Sequence, residues 1–316
     1  MPTTLSPLTP LTKGILLILC CSATFATLDT IAAYMRQWYP AMQVAWFRYT
    51  FHALAVLVVA VPFMGKRLFK VSRPLWQVIR GVLLLTCTLL TFTALGFMQV
   101  AEFTALAFVT PLVVTMLAGP VLKERVTPLA WVAVCTGFVG VLIVVRPGAG
   151  ALGWAALLPI VMSFFNGGFQ IFTRKYAAHD DPVSTLFYTG LVGAIGCSVF
   201  LPLLSISVPA NWVAPQSAHL PLLVLMGLIA AAGHYLIILA FRLAPASTLA
   251  PMTYSQMAFA VFTGWLVFNK LPDSFTILGM VVIALAGLFA AWEHRRVARK
   301  VKESKDADAQ LPVVSD

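Results

Sequence analysis

The chain has 316 residues, 60% of them hydrophobic and 10% charged, with a mean hydropathy of +0.91 and a formal net charge of +10. A soluble globule cannot cover itself with polar groups at that composition, so an integral membrane protein is indicated. Runs such as LAWVAVCTGFVGVLIVV from Leu129 are apolar on every face and too long for a barrel strand, which selects helices over an outer-membrane barrel.

Ten apolar runs of about twenty residues read as transmembrane helices, at 14–35, 42–63, 75–97, 100–122, 127–146, 153–174, 183–203, 219–241, 244–268 and 274–293. The first follows a single basic residue, Lys13, and nine similar segments come after it, so it is expected to be a retained helix and not a cleaved signal peptide. It carries Phe25 and Asp29. The second span carries Arg48 and His52. Asp29 lies eight residues before Gln37 on a helix running one way, and Arg48 seven after Ala41 on a helix running back, so both fall about 10–12 Å below the same boundary. A lone ionised side chain at that depth costs from ~3 to more than 10 kcal/mol, so each needs a partner or a wet cavity. Two readings stay open here: a cavity-lining pair that holds substrate or exchanges a proton, or an ion pair locking two helices.

The third span brings Phe92. The fourth opens with Glu102, where a carboxylate suits the positive end of the helix, and contains Pro111, which removes an intrahelical bond and frees the carbonyl of Ala107. The sixth supplies Asn166, Phe169 and Gln170. In the seventh, Gly190, Gly193 and Gly196 at spacing three predict a smooth face for close helix contact. His234 and Tyr235 follow in the eighth, then Pro251, which frees the carbonyl of Ser247, with Tyr254 and Gln256 in the ninth. Histidines within spans serve either as bonds between helices or as steps on a proton path. Helices interrupted at corresponding places in two halves point to a binding site. A pocket walled by Phe25, Phe92, Tyr235 and Tyr254 with the amides Asn166, Gln170 and Gln256 would suit a flat heteroaromatic solute.

With the N-terminus inside, 17 of the 21 basic residues fall on the cytoplasmic side, the last six in the tail EHRRVARKVKESK; Arg36, Arg48, Arg146 and Lys270 remain. Both termini are therefore expected in the cytoplasm of a cell whose inner membrane the chain spans. The charge reads as a topology signal, and nucleic acid is not an expected partner. The five cysteines sit in apolar runs without metal-ligand spacing, so neither a metal nor a disulfide framework is indicated.

The chain also repeats itself. At an offset of 144, ALGFMQVAEFTALAFVTPLVV from Ala94 lies over ILAFRLAPASTLAPMTYSQMA from Ile238, and at 139, GILLILCCSATF from Gly14 lies over GWAALLPIVMSF from Gly153. Five spans followed by five spans form an inverted-topology repeat, because an odd count makes the second half enter the membrane from the other side. The fold class expected is an all-α polytopic membrane protein of ten transmembrane helices in two inverted five-helix repeats, 14–146 and 153–293, followed by a basic tail at 294–316.

These residues resemble the drug/metabolite transporter superfamily, and within it the ten-helix transporters built of two EamA domains. The resemblance rests on WFRY at Trp46–Tyr49, on the turn from Phe97 to Thr104 leading to Pro111 and LKERVTPLAWVAVCTGFVGVLIVV, and on YSQMAFAVFTGWLVFNKLPDSFTILGMVVIALAG from Tyr254. Asn269 stands where the family usually has an acidic residue, which Glu124 keeps in the first copy. Asp29, Tyr34, Tyr39-Pro40, Gln43 and Arg48 look most like the branch of riboflavin and S-adenosylmethionine carriers. The resemblance implies a secondary transporter moving a small vitamin-like or cofactor-like metabolite by alternating access. The alternative within the superfamily is an exporter of amino acids or related metabolites and drugs. Expected partners are the substrate, the lipid bilayer, a coupled proton or other ion, and a second copy in a homodimer, with no cofactor. No GxSxG, HExxH or P-loop stands in the chain, which argues against the other classes considered, an intramembrane enzyme or a membrane sensor.

Overall fold

A computed structural model describes residues 9–122, 128–146, 153–176, 180–207, 212–244, 249 and 252–308. Pro251, Ser247 and Glu124 lie outside the described residues.

Prolines open several of the helices, since the first helical position needs no N–H and the ring presets the backbone angle. They start α1 (Pro10–Met35), α3 (Pro74–Ala94), α6 (Pro128–Val145) and α8 (Pro182–Ser207). α2 spans Ala41–Met64 and runs into a 3-10 turn over Gly65–Phe69. α7 covers Leu157–Tyr176, α9 Leu220–Leu243, α10 Ser255–Phe268 and α11 Ser274–Asp308. Among the described residues six helices are long and apolar enough to cross a membrane, and four shorter apolar stretches coincide with the remaining expected spans. The molecule is an all-α polytopic membrane protein.

The fourth span departs from the continuous helix expected over 100–122. It is two helices, α4 (Val100–Ala107) and α5 (Thr110–Leu122), separated by Phe108 and Val109. Pro111, the second residue of α5, has no N–H to offer the preceding turn, and the hydroxyl of Ser163 on α7 donates to the carbonyl of Ala107 at 3.1 Å instead. Glu102 takes the capping role, accepting the backbone N–H of Gln99 at 2.9 Å. α10 ends on Asn269 in the left-handed region, φ 55°, a conformation that asparagine tolerates better than other non-glycine residues.

The helices pack in pairs that exchange under a two-fold operation mapping α1 to α7, α2 to α8, α3 to α9, α4–α5 to α10 and α6 to α11. α1 packs on α9 as α7 packs on α3, α2 on α9 as α8 on α3, and α1 on α10 as α7 on α5. α2 meets its own counterpart α8, and α6 meets α11. The first of these self-paired contacts depends on the glycine stripe. Gly190 lies against His52 and the backbone of Ala53, and Gly193 against the ring of Tyr49; Gly196 faces Leu85 of α3. At about 1.5 Å per residue the 35 residues of α11 extend well past a hydrocarbon layer of about 30 Å, so the helix carries the start of the basic tail out of the membrane.

Candidate functional site: a cavity between the two repeats

A cavity of 190 Å³ lies where the two halves meet, with walls from α1, α2, α3, α4, α5, α7, α9 and α10. Helical periodicity sets which residues reach it. On α1, Ser22, Phe25 and Asp29 recur at spacings of three and four and share one face; on α7, Asn166 and Gln170 do the same. Arg48 enters from α2, Thr88, Thr91 and Phe92 from α3, Phe103 and Phe108 from the broken helix, His234 from α9 and Gln256 from α10.

Arg48 is buried, with 3% of its surface exposed, and its partners are all uncharged. One terminal nitrogen donates to Thr88 Oγ1 at 2.8 Å and the other to His234 Nε2 at 3.0 Å, while the guanidinium carbon lies 4.5 Å from the centre of the Tyr49 ring. The proton positions around it follow from what each group can do. Thr88 spends its own hydrogen on the Leu84 carbonyl at 3.0 Å, so it accepts from both Arg48 and Tyr49, whose hydroxyl is 2.7 Å away. A guanidinium only donates, so His234 Nε2 accepts and its proton sits on Nδ1, which has no partner among the described residues. The ring of His234 is wedged edge-on between Phe25 at 5.0 Å and Phe169 at 5.9 Å.

Asp29 and Arg48 face the same cavity but do not touch. No ion pair within 4 Å joins them among the described residues; the direct pairing that their equal depth allowed is not formed. Asp29 instead accepts one long bond, 3.4 Å, from the amide of Gln256. Each charge is drawn to different helices: Arg48 towards α3 and α9, Asp29 towards α10.

Of the other expected residues, Phe25, Phe92, Asn166, Gln170, His234 and Gln256 line the cavity. Tyr235 does not. One residue beyond His234 it is turned about 100° around the helix and stands 36% exposed on the bundle's outside. Tyr254 sits one layer back, with its ring stacked on cavity-lining Phe108 at 4.7 Å and 21°. That stack joins the interruption between α4 and α5 to the start of α10, its counterpart in the other half. Pro111 is the second residue of α5, just past the break. His52, expected as an extension of a proton path, gives its Nε2 proton to the Leu186 carbonyl at 3.2 Å, with its ring 6.0 Å from that of His234. Thr88, Phe103 and Phe108 were not singled out in the sequence. The spacing of Thr88, Thr91 and Phe92 on one face of α3 was the available signal for the first.

A model described as the EamA-like transporter family matches the chain twice, over residues 12–146 and 153–292. The chain belongs to the EamA-like transporter family. Its two copies place this EamA-like transporter in the drug/metabolite transporter superfamily. It is similar to a protein of Rickettsia conorii named S-adenosylmethionine uptake transporter, 28% identical over 88% of this chain and 92% of that one. It is also 28% identical to a riboflavin transporter of Vibrio cholerae, over 91% of this chain and 96% of the other. A solved crystal structure shares the fold with a TM-score of 0.67 at 17% identity, covering 90% of this chain and 98% of its own. Family and relatives mark a transporter and not an enzyme.

Proposed function

We propose that this EamA-like transporter carries a small, flat, cofactor-like metabolite, of the S-adenosylmethionine or riboflavin type, across the bacterial cytoplasmic membrane by alternating access. The observation that carries the reading is the cavity itself. Both repeats wall it, and its lining combines phenylalanine rings, amides, a buried carboxylate (Asp29) and a buried guanidinium (Arg48), a composition that a purely structural core has no use for. The relatives named for S-adenosylmethionine and riboflavin both transport solutes with a flat heteroaromatic body, which rings can sandwich.

The two-fold exchange of helix contacts supports rocking of one half against the other about a fixed site. Both termini lie in the cytoplasm in this reading, supported by the 17 basic residues that then fall inside. Asp29 is the group proposed to exchange a coupling proton, since it is the one carboxylate on the cavity wall among the described residues and only one bond is made to it.

Uptake into proteoliposomes tests the reading. Labelled S-adenosylmethionine or riboflavin is expected to accumulate under an imposed gradient, and Asp29→Asn to reduce accumulation at least tenfold with the melting temperature of the purified protein unchanged. Absence of flux for both solutes under every gradient would reject it.

A further inference from the structure

Arg48 presents a problem that its neighbours do not solve. A guanidinium carries a full charge that neutral partners satisfy only as hydrogen-bond acceptors, and in a low-dielectric interior the missing counter-charge is costly. Thr88, His234 and the Tyr49 ring are all neutral. Asp29 across the cavity has the converse problem, with one 3.4 Å bond for a group that can accept about four. A second buried arginine, Arg80 on α3, is built differently. It stands away from this cavity, shares a small wall pocket with Asp180, and donates to the Thr185 carbonyl at 2.8 Å and to the Thr189 hydroxyl.

We infer that Arg48 and Asp29 are the two poles of a site for a zwitterion, with Arg48 binding a carboxylate of the substrate and Asp29 its ammonium group. The inference rests on the transport reading above and narrows it. A solute bearing both charges cancels each pole at once. A lone anion leaves Asp29 unmatched, a lone cation leaves Arg48 unmatched, and a neutral flavin matches neither. The guanidinium is well suited to the first role, since its fork engages a carboxylate bidentately. His234 is a positioning residue. Its Nε2 and Thr88 Oγ1 each hold one terminal nitrogen of the guanidinium, which fixes the orientation of the fork. Phe25 of α1 and Phe92 of α3 line the same cavity and take the heteroaromatic body.

The test uses the purified full-length protein and four probes: S-adenosylmethionine, its decarboxylated analogue, which keeps the ammonium and the adenine, 5′-methylthioadenosine, which keeps only the ring end, and riboflavin. Calorimetric titration is expected to rank S-adenosylmethionine first and to find the decarboxylated analogue at least tenfold weaker. Arg48→Gln is expected to erase that ratio, and Arg48→Lys, the variant more apt to stay folded, to retain part of it. Asp29→Asn is expected to weaken both ligands alike and leave their ratio standing. Equal binding of S-adenosylmethionine and its decarboxylated analogue by the wild type, an unchanged ratio in either folded Arg48 variant, or riboflavin binding the tightest would overturn the zwitterion site and leave the transporter intact. Silence from all four probes, together with no uptake, would overturn both.

Discussion

Tyr49 shows how one side chain ties the site to the scaffold. It is fully buried, its hydroxyl donates to Thr88, its ring lies against the guanidinium of Arg48, and the same ring packs on the bare backbone of Gly193. A Cβ at Gly193 would fall inside that ring, and the ring cannot retreat without giving up Thr88. Gly193→Ala is therefore expected to cost about 1–3 kcal/mol as an overpacking change. Gly168→Ala, where the nearest neighbour is a Leu83 methyl at 3.7 Å, should be tolerated. Thermal melts of the two variants in detergent check the contrast, and an equal melting temperature for both would refute it. The glycine stripe was legible because small residues at spacing three stand out in an oily segment. Asp29 and Arg48 were legible because charge is rare in one. Thr88 and Phe108 were not: in a chain with 22 phenylalanines, residue type alone does not say which ring faces the cavity.

Among the elements, the interrupted fourth span carries the most consequence. Pro111 announced a disturbed helix, but not that the chain would break into two, because the outcome depends on a partner from another helix. Ser163 is that partner, and its single hydrogen is shared between the Ala107 carbonyl and that of Pro159 at 2.8 Å. Ser163→Ala takes away the hydroxyl that the part-buried Ala107 carbonyl accepts from, and about 1 kcal/mol of stability should be lost, read as a lower melting temperature. The start of α11 gives a pH test. Asp273 accepts the Thr276 N–H at 2.8 Å and pairs with Arg146 at 2.7 Å, and these hold its carboxyl below the ordinary value of 3.8. A lowered folded value means stability that is whole above 3.8 and vanishes as the pH falls through the folded value. Asp273→Asn keeps a capping oxygen but loses the ion pair, which is half-exposed and worth about 0.2–1 kcal/mol. Its melting temperature should fall below that of the wild type at pH 7, and the gap should close below pH 4; a gap constant with pH would exclude the ionic contribution.

For the whole molecule, the two-fold exchange was legible in the odd number of spans per half, whereas the pairing of α1 with α9 or α6 with α11 was not, since repeats this diverged leave no residue signal for it. The exchange has a mechanical implication. α1 meets α10 as α7 meets α5, so under the alternating access proposed above one of these contacts opens as the other closes. At the first contact the hydroxyls of Thr30, the residue after Asp29, and Thr263 are 2.7 Å apart. Sulfurs standing where these two oxygens stand need approach by less than about 1 Å to bond at about 2.0 Å, so Thr30→Cys with Thr263→Cys should form a disulfide on oxidation. In proteoliposomes the oxidised double variant is expected to lose uptake at least tenfold and to regain it with a reductant, while each single variant, which keeps all five native cysteines, transports in both conditions. Binding measured on the same oxidised protein should persist from the side left open. Full-rate transport by protein shown to be cross-linked would mean that α1 and α10 need not part, and that the halves do not rock at this contact.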